Sequence, residues 1–255
     1  MKKGIFGLSL LCLFVALFSG STPLAMKFPV KPVVLITVEG EIHNTLKTYL
    51  KHCITEAQKN GARGVILKIN TPGGEAATML DMIEVIHDAG REMPVAGWVV
   101  NKALSAGTGI SLACPAIYMQ PRSVIGASAV IALAMGSGGD DDKNMENMIL
   151  KSQSAIRETY EGLVKKPELK PLVAAMVEKD LGVVQVSKDG KTYFLSDKEY
   201  RDLEKQVAED KKPEKDLPTL VKSIREAGKL VTLTGDEAAG FGLVNGTADT
   251  LPELC

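Results

Sequence analysis

The sequence predicts an α/β fold with a mainly parallel sheet. Short apolar runs that are typical of buried strands alternate with segments whose apolar residues recur at helical spacing. The alternation starts near residue 32, and 45% of the 255 residues are hydrophobic, which suffices for a substantial core. Successive strand-helix units of this kind build a parallel sheet with right-handed crossovers.

Three such units follow one another in the first half of the chain. They are a strand over 33–38 with a helix over 46–57, a strand over 64–69 with a helix over 79–86, and a strand over 95–100 with a helix over 105–113. A turn over 71–74 is predicted by its proline and two glycines. Two shorter apolar runs predict strands over 117–119 and 123–125.

The texture of the sequence changes after residue 131. Glycines 136, 138 and 139, followed by Asp140-Asp141-Asp142, predict a flexible acidic loop with a helix resuming at Lys143. The acidic triplet lacks the ligand spacing of a calcium loop. We therefore expect it to begin the helix, where negative charge is favourable, rather than to bind a metal.

A charged insertion is predicted near the end of the chain. Residues 188–217 are dense in Lys, Asp and Glu, and Asp189-Gly190 has the composition of a hairpin turn, so we expect a surface insertion. A strand over 230–233 and a short helix from Asp236 then close the domain.

The N-terminus has the pattern of an export signal. Met1-Lys2-Lys3 precedes an apolar run, Ile5 to Phe18, that is short for a membrane span. We expect a signal peptide over 1–25, with cleavage after Ser21 or Ala25, or an uncleaved anchor as the alternative. Either way the folded domain, about 30–250, is expected to be exported to the periplasm or cell envelope.

Composition excludes several function classes. Thirty basic against thirty-one acidic residues give a net charge of -1, so nothing global indicates a nucleic-acid partner. The four cysteines, at positions 12, 53, 114 and 255, form no C-x-x-C pair. We therefore expect neither a disulfide framework nor a zinc site, and no cofactor.

Two small-residue motifs could carry chemistry. In Asn70-Thr71-Pro72-Gly73-Gly74, the glycine pair allows a backbone that leaves amides free for an oxyanion, although most such sequences are ordinary tight turns. In Ala103-Leu104-Ser105-Ala106-Gly107, Ser105 stands where a strand meets a helix. Spacing alone favours a helix N-cap for this serine, and a nucleophile is the alternative.

A nucleophilic serine needs a base. The three histidines, His43, His52 and His87, precede the serine on or near helices and are expected at the surface. Lys151 lies within an apolar helical stretch, and a lysine kept neutral by burial can act as a base. The alternative for Lys151 is the usual solvent-exposed position.

Four segments together resemble the NfeD-type membrane-associated serine proteases of the ClpP class, which are relatives of signal peptide peptidase A. They are Ile69-Asn70-Thr71-Pro72-Gly73-Gly74, Leu104-Ser105-Ala106-Gly107, Val124-Ile125-Gly126-Ala127 and the stretch from Leu233 to Leu243. The resemblance runs from about Val33 to Ala248. It implies a ClpP/crotonase-like fold and a serine endopeptidase with a Ser-Lys dyad, acting on apolar segments of membrane-associated polypeptides.

The resemblance also implies site residues. Ser105 corresponds to the nucleophile, and the backbone of Gly73, Gly74 and Ala106 to the oxyanion hole. Lys151 corresponds to the base because Lys151, Ser154 and Arg157 fit the pattern K-x-x-S-x-x-R, and Lys143 is the competing choice because it follows the acidic loop. No metal is implied. The partners implied are a polypeptide substrate and further copies of the chain in a homo-oligomer.

Departures from the family pattern keep other functions open. The loop between serine and lysine is longer than in the relatives, and Val164-Lys165-Lys166 replaces the usual Gly-Arg-Asn stretch. The sequence ends at Cys255, before the membrane helices and β-barrel of full-length NfeD proteins, so we expect membrane attachment through the N-terminus or a partner. A catalytically inactive binding module and a crotonase-like acyl-CoA enzyme remain as alternatives.

Overall fold

A computed structural model describes residues 31–129, 141–209 and 211–254, with the backbone alone over 141–145. The strands are β1 (Val33–Glu39), β2 (Gly64–Thr71), β3 (Val95–Leu104), β4 (Ala116–Met119), β5 (Val124–Gly126), β6 (Val183–Lys188), β7 (Lys191–Ser196), β8 (Thr219–Arg225), β9 (Thr232–Thr234) and β10 (Gly246–Thr247). The helices are α1 (Asn44–Lys59), α2 (Ala76–Glu92), α3 (Ala106–Leu112), α4 (Asp141–Leu163), α5 (Lys170–Ala174), α6 (Asp197–Ala208), α7 (Gly235–Gly240) and α8 (Leu251–Leu254). The predicted signal peptide and the glycines of the predicted acidic loop lie outside the described residues.

The main sheet has seven strands. Five of them, in the order β1-β2-β3-β4-β10, are parallel to their neighbours. β5 pairs in parallel with the end of β3, and β9 pairs antiparallel with β5. The predicted α/β class with a mainly parallel sheet is confirmed.

β3 pairs with two different strands along its length, first with β4 and then with β5. Its first part, Ala96–Val99, pairs with β4, whereas its last three residues, Lys102–Leu104, pair with β5. The sequence predicted that this strand ends at Val100, which is too short. The additional pairing carries the strand up to Ser105, so the turn that follows β3 begins at that serine.

The two long helices of the first half cover the sheet with apolar faces. Buried side chains recur at helical spacing on each, and they are Leu50, Ile54 and Ala57 on α1 and Met79, Met82, Ile83, Ile86 and Ala89 on α2. All four residues from which α2 was predicted are among them, namely Met79, Met82, Ile83 and Ile86. The apolar spacing of α1 also included Leu46, Tyr49 and Cys53, but the first and last are half-buried and Tyr49 is exposed. Burial of the two faces removes the apolar stripes from water, which is the main stabilising term of such a layer.

α3 is buried along its whole length. All seven of its residues are inaccessible, and five of them are Ala, Gly, Thr or Ser. A Cβ atom on Gly107 would lie 2.5 Å from Cγ2 of Thr71 in β2. Small residues are therefore required because they let α3 lie directly against the strands that carry the site.

The predicted insertion forms a second, antiparallel sheet. Its strands run in the order β7-β6-β8, and the pairing of Lys188 with Lys191 closes a hairpin at Asp189-Gly190. Both turn residues have positive φ, 53° and 74°, as the predicted hairpin turn requires. The sheet begins at Val183, earlier than the predicted boundary of 188, because β6 pairs on both sides.

The motif from Leu233 to Leu243 contains the whole of α7 together with its N-cap. Thr234 is its N-cap: Thr234 Oγ1 accepts from the N–H of Glu237, and the Glu237 carboxylate accepts from the N–H of Thr234. A Cβ on Gly235 would collide with the carbonyl oxygen of Gln120. The motif is therefore explained by a capping box and a close backbone contact.

The end of the chain is tied to the central strand. The indole N–H of Trp98 in β3 donates to the carbonyl oxygen of Ala248, with a nitrogen–oxygen distance of 2.9 Å. In the part of the chain that the structure describes, no helix has the length and apolarity needed to cross a bilayer.

Candidate active site

Two of the motifs predicted to carry chemistry meet at the carboxyl ends of adjacent strands. The glycine loop follows β2, and Ser105 follows β3, which pairs with β2 in parallel. Parallel strands end at the same edge of a sheet, and ligand sites of α/β proteins form there. The two motifs are brought together by topology.

Ser105 has a strained backbone. Its φ of 52° and ψ of -124° fall in a region that residues with side chains rarely occupy, and such outliers cluster at functional sites. It lies at the N-cap position of α3, but its side chain makes no capping hydrogen bond. The N-cap function that spacing favoured is therefore not how this side chain is used.

The glycine loop packs directly against the serine. A Cβ atom on Gly73 would lie 2.6 Å from Cβ and 3.2 Å from Oγ of Ser105. Gly73 and Gly74 have φ of 109° and 155°, which side chains disfavour. Both close approach and backbone conformation thus require glycine at position 73.

Ile42 fixes the other side of the loop. Its N–H donates to the carbonyl oxygen of Gly73 at 2.8 Å, and its own carbonyl accepts from the N–H of Glu75 at 2.9 Å. A Cβ on Gly74 would collide with the backbone of Ile42. The loop is therefore held between the segment after β1 and the serine.

The backbone N–H groups near Ser105 differ in whether they donate a hydrogen bond to another residue. The N–H of Gly73 donates to Thr71 Oγ1 at 3.0 Å. The N–H groups of Gly74 and Ala106 donate to no other residue in the described ranges. Of the three predicted oxyanion-hole residues, Gly74 and Ala106 thus have amides that are free to bind a ligand.

The Val-Ile-Gly-Ala motif holds the serine from behind. The carbonyl oxygen of Gly126 accepts from the N–H of Ser105 and from Oγ1 of Thr108, both at 3.0 Å. Gly126 and Ala127 both have positive φ, and a Cβ on Gly126 would collide with the carbonyl of Val231. This motif supports the backbone at Ser105.

Lys151 is not brought to Ser105. Its side chain is exposed, on the opposite face of α4 from the buried residues Ile156 and Tyr160. Tyr160, which does contact Ser105, lies nine positions further along, about 13 Å along the axis and half a turn around it. The expectation that Lys151 is buried is wrong, because α4 turns this residue to solvent.

Arg157, the last residue of the K-x-x-S-x-x-R pattern, forms ion pairs with two glutamates. Arg157 donates to the Glu178 carboxylate at 2.8 Å, and Glu161 lies 3.6 Å from its Nε. This arginine therefore ties α4 to the segment after α5. Lys143, the competing base, lies in the first turn of α4, where the side chain is not described.

His43, His52 and His87 are exposed, as predicted. Within the ranges that the structure covers, no group of three or more His, Cys, Asp or Glu side chains could hold a metal ion.

Two side chains that contact the serine backbone were not predicted from the sequence. The hydroxyl of Tyr160 and the hydroxyl of Ser128 lie 2.9 and 3.3 Å from the carbonyl oxygen of Ser105. Ser128 directly follows the Val-Ile-Gly-Ala motif. Tyr160 is an aromatic residue on the buried face of α4, which is the signal that could have drawn attention to it.

The sequence was compared with known families and proteins. The profile of the family described as "NfeD1b, N-terminal domain" matches residues 32–212. Membrane protein NfeD1b of Bacillus subtilis is 29% identical over 251 residues, which is 98% of this chain and 44% of that protein. Membrane-bound protease PH1510 of Pyrococcus horikoshii is 31% identical over 121 residues, 46% of this chain and 26% of that protein. The chain thus spans less than half of each relative.

Solved structures match the fold. The 1510-N membrane-bound stomatin-specific protease, as a lysine-to-alanine mutant with a substrate peptide, gives a TM-score of 0.55 at 20% identity, covering 89% of this chain and 80% of that one. A serine-to-alanine mutant of the protease gives 0.52, covering 88% and 83%. The expected ClpP-like fold is confirmed by these matches. The family profile, which matches more than half of the sequence, shows that the chain belongs to the family of NfeD1b N-terminal domains.

Proposed function

We propose that this domain is a serine peptidase in which Ser105 is the nucleophile. The observation that carries the proposal is the conformation of Ser105. Its backbone is strained, its side chain makes no capping hydrogen bond, and it packs against the glycine loop. Strain at one residue persists only where the surrounding structure imposes it. Here the glycine loop, the loop after β5 and the helices α3 and α4 all contact Ser105. A serine that served only as a helix cap would need none of this.

The geometry fits acyl transfer. Ser105 Oγ would attack the carbonyl of a peptide bond, and the N–H groups of Gly74 and Ala106 would bind the oxyanion, each such donor contributing ~3–4 kcal/mol. Gly73, also expected in the oxyanion hole, contributes the space in which the substrate carbonyl and the serine meet. The base would take the proton from Ser105 Oγ as it attacks and give that proton to the leaving amine, and water would then hydrolyse the acyl-enzyme.

The proposed base is a lysine of α4, either Lys151 or Lys143. Lys151 fits the family pattern but is exposed, and it follows Met148 and Leu150 on α4, which are 68% and 54% exposed. A polypeptide covering this apolar surface would shield the Lys151 side chain from water. Lys143 is the competing choice because it follows the predicted acidic loop.

The proposed substrate is a polypeptide with an apolar segment. A groove of about 740 Å³ runs between α4 and the loops at 177–180 and 228–230. Apolar residues contribute half of its lining, namely Ala129, Ile149, Leu150, Val177 and Leu230. Ala129 follows Ser128, which contacts the Ser105 carbonyl, so one end of the groove lies next to the loop that supports the serine. The P. horikoshii relative is named a membrane-bound protease, and its solved domain is titled with a substrate peptide.

The proposal extends to the organisation of the chain. Residues 1–25 act as an export signal or anchor, residues 30–250 form the peptidase domain, and the sheet containing 188–217 is an appendage of that domain. The domain works in the cell envelope as a homo-oligomer. The location in the cell envelope is supported by the apolar N-terminal run and by relatives named as membrane proteins.

A catalytically inactive binding module is the second candidate function. One observation favours it: Ser105 Oγ forms no hydrogen bond with a described residue, and Lys151 is turned to solvent. Such a module would use the same groove to hold an apolar segment without cleaving it.

Cleavage of apolar peptides and casein by the purified protein distinguishes the two. Wild type is compared with Ser105→Ala, Lys151→Ala and Lys143→Ala, with thermal unfolding measured for each. Loss of cleavage in Ser105→Ala and in one lysine variant, at unchanged melting temperature, supports the dyad and identifies its base. Peptide binding without cleavage in every variant, wild type included, supports the binding module instead.

A further inference from the structure

The carbonyl oxygen of Ser105 accepts hydrogen bonds from three sides. The N–H of Thr108 lies 2.8 Å away, the hydroxyl of Tyr160 2.9 Å and the hydroxyl of Ser128 3.3 Å. The first donor belongs to α3 itself, but the other two come from α4 and from the loop after β5. Two hydroxyl groups distant in sequence therefore converge on one peptide group.

Tyr160 is built into this position. Its side chain is fully buried, and its hydroxyl also lies 3.2 Å from Ser128 Oγ and 3.7 Å from Met79 Sδ. A Cβ on Gly109 would lie 3.0 Å from Cε1 of the tyrosine ring, so α3 leaves room for the ring by having glycine there. Burial raises the pKa of Tyr160 to about 12, although the hydrogen bond with Ser128 opposes the shift, so the hydroxyl keeps its proton.

The direction of the Ser105 carbonyl determines the direction of an oxyanion donor. A trans peptide unit is planar, and its C=O and N–H bonds point in opposite directions. The Ser105 carbonyl and the Ala106 N–H belong to one such unit. When Tyr160 holds the carbonyl toward the protein interior, the Ala106 N–H points the other way, away from that interior.

We propose that Tyr160 is a positioning residue, whose hydroxyl, assisted by Ser128, fixes the Ser105–Ala106 peptide plane and so aims the Ala106 N–H at the oxyanion. Its catalytic use rests on the peptidase function proposed above. The contact also links α4, the helix with both candidate bases, to the backbone of the nucleophile.

The test compares Tyr160→Phe with the matched control Tyr193→Phe, whose tyrosine lies in the second sheet on β7. Phenylalanine keeps the ring and removes the hydroxyl. If Tyr160 positions the peptide plane, kcat for peptide cleavage falls about tenfold or more in Tyr160→Phe while KM is unchanged. The control keeps both constants, and a kcat unchanged in both variants would overturn the catalytic use of the contact.

Hydrogen exchange gives a readout that does not need activity. The N–H groups of Ser105 and Thr108 are hydrogen-bonded, to Gly126 and to the Ser105 carbonyl, and report on this plane. Their exchange should become about tenfold faster in Tyr160→Phe but not in Tyr193→Phe. Equal exchange in both variants overturns the inference.

The two readouts separate the two proposals. If wild type cleaves no peptide, the proposed peptidase function fails, and the exchange rates alone decide whether Tyr160 holds the plane. Ser128→Ala serves as a second variant should Tyr160→Phe unfold, and it should shift exchange at the same two amides in the same direction. An unchanged pattern in Ser128→Ala then counts against the inference.

Discussion

Gly73 and Ser105 pack so closely that there is no room for a side chain at position 73. A Cβ on Gly73 would meet Cβ of the serine at 2.6 Å and the carbonyl oxygen of Leu104 at 2.9 Å. The loop after β2 therefore acts as a wall against which the serine side chain is placed. The shape of the site therefore depends on the absence of a side chain at Gly73.

Gly73→Ala should abolish cleavage. The methyl group must displace Ser105, and a misplacement of about 1 Å at a reacting group can lower the rate about 100-fold. Gly61→Ala is the matched control because Gly61 also has positive φ, 66°, but nothing lies within 4 Å of its Cβ position. Both variants should lose about 1–3 kcal/mol of stability from backbone strain. Equal peptidase activity in the two would contradict the contact between loop and serine.

Arg157→Ala should loosen the attachment of α4. Arg157 bridges to Glu178 at 2.8 Å, and the two side chains are 34% and 25% exposed, so solvent screens the pair only in part. We expect a loss of about 1 kcal/mol in the free energy of unfolding, measured with urea. The control is Arg201→Ala, because Arg201 is 71% exposed and 4.0 Å from Asp197, and it should leave stability unchanged. A larger loss in the control would place the stabilising pair elsewhere.

Thr234→Ala should weaken α7. The hydroxyl accepts from the N–H of Glu237, and its loss leaves that group without its partner at the helix start, a change worth ~1 kcal/mol. Thr234→Ser keeps the oxygen and should be close to wild type. Thermal unfolding of the three proteins tests this, and equal melting temperatures for the alanine and serine variants would refute the capping role.

Stability should fall at alkaline pH. Burial raises the pKa of the Cys114 thiol and of the Tyr160 phenol each to about 12, above their ordinary values of 9.0 and 10.0. Between pH 9 and 12 the unfolded chain releases protons that the folded chain retains, so unfolding becomes easier as pH rises through this window.

Urea unfolding between pH 8 and 12 measures this dependence. Cys114→Ala should flatten the fall that begins above pH 9, and Tyr160→Phe the fall above pH 10. Tyr193→Phe, a change at a half-buried tyrosine of β7, serves as control. A slope that is the same in all variants would show that other groups cause the alkaline loss of stability.

The elements with strong periodicity could be predicted from the sequence. The first two strand-helix units form as expected because their apolar residues are numerous and regularly spaced. The end of β3 could not be predicted, since its last residues are stabilised by pairing with β5, a partner some 20 positions away. The insertion began early for the same reason, because β6 is defined by two neighbours.

The candidate site divides in the same way. Ser105, Gly73 and Gly74 could be found because small residues at strand ends leave a mark in the sequence, and Ser105 and Gly73 lie together as expected. Lys151 was predicted as a buried base from a short pattern, but burial depends on how α4 is rotated, and such a pattern does not determine rotation. Tyr160 was missed because its role depends on a contact 55 positions away.

The hydrogen bond from Trp98 to Ala248 gives the protein an internal reporter. The chain has one tryptophan, and it lies in the central strand with its indole bonded to the C-terminal segment. Its fluorescence therefore senses release of that segment and collapse of the sheet without any label. Detachment of the C-terminal segment before global unfolding would be seen as an early change in the emission of a single chromophore.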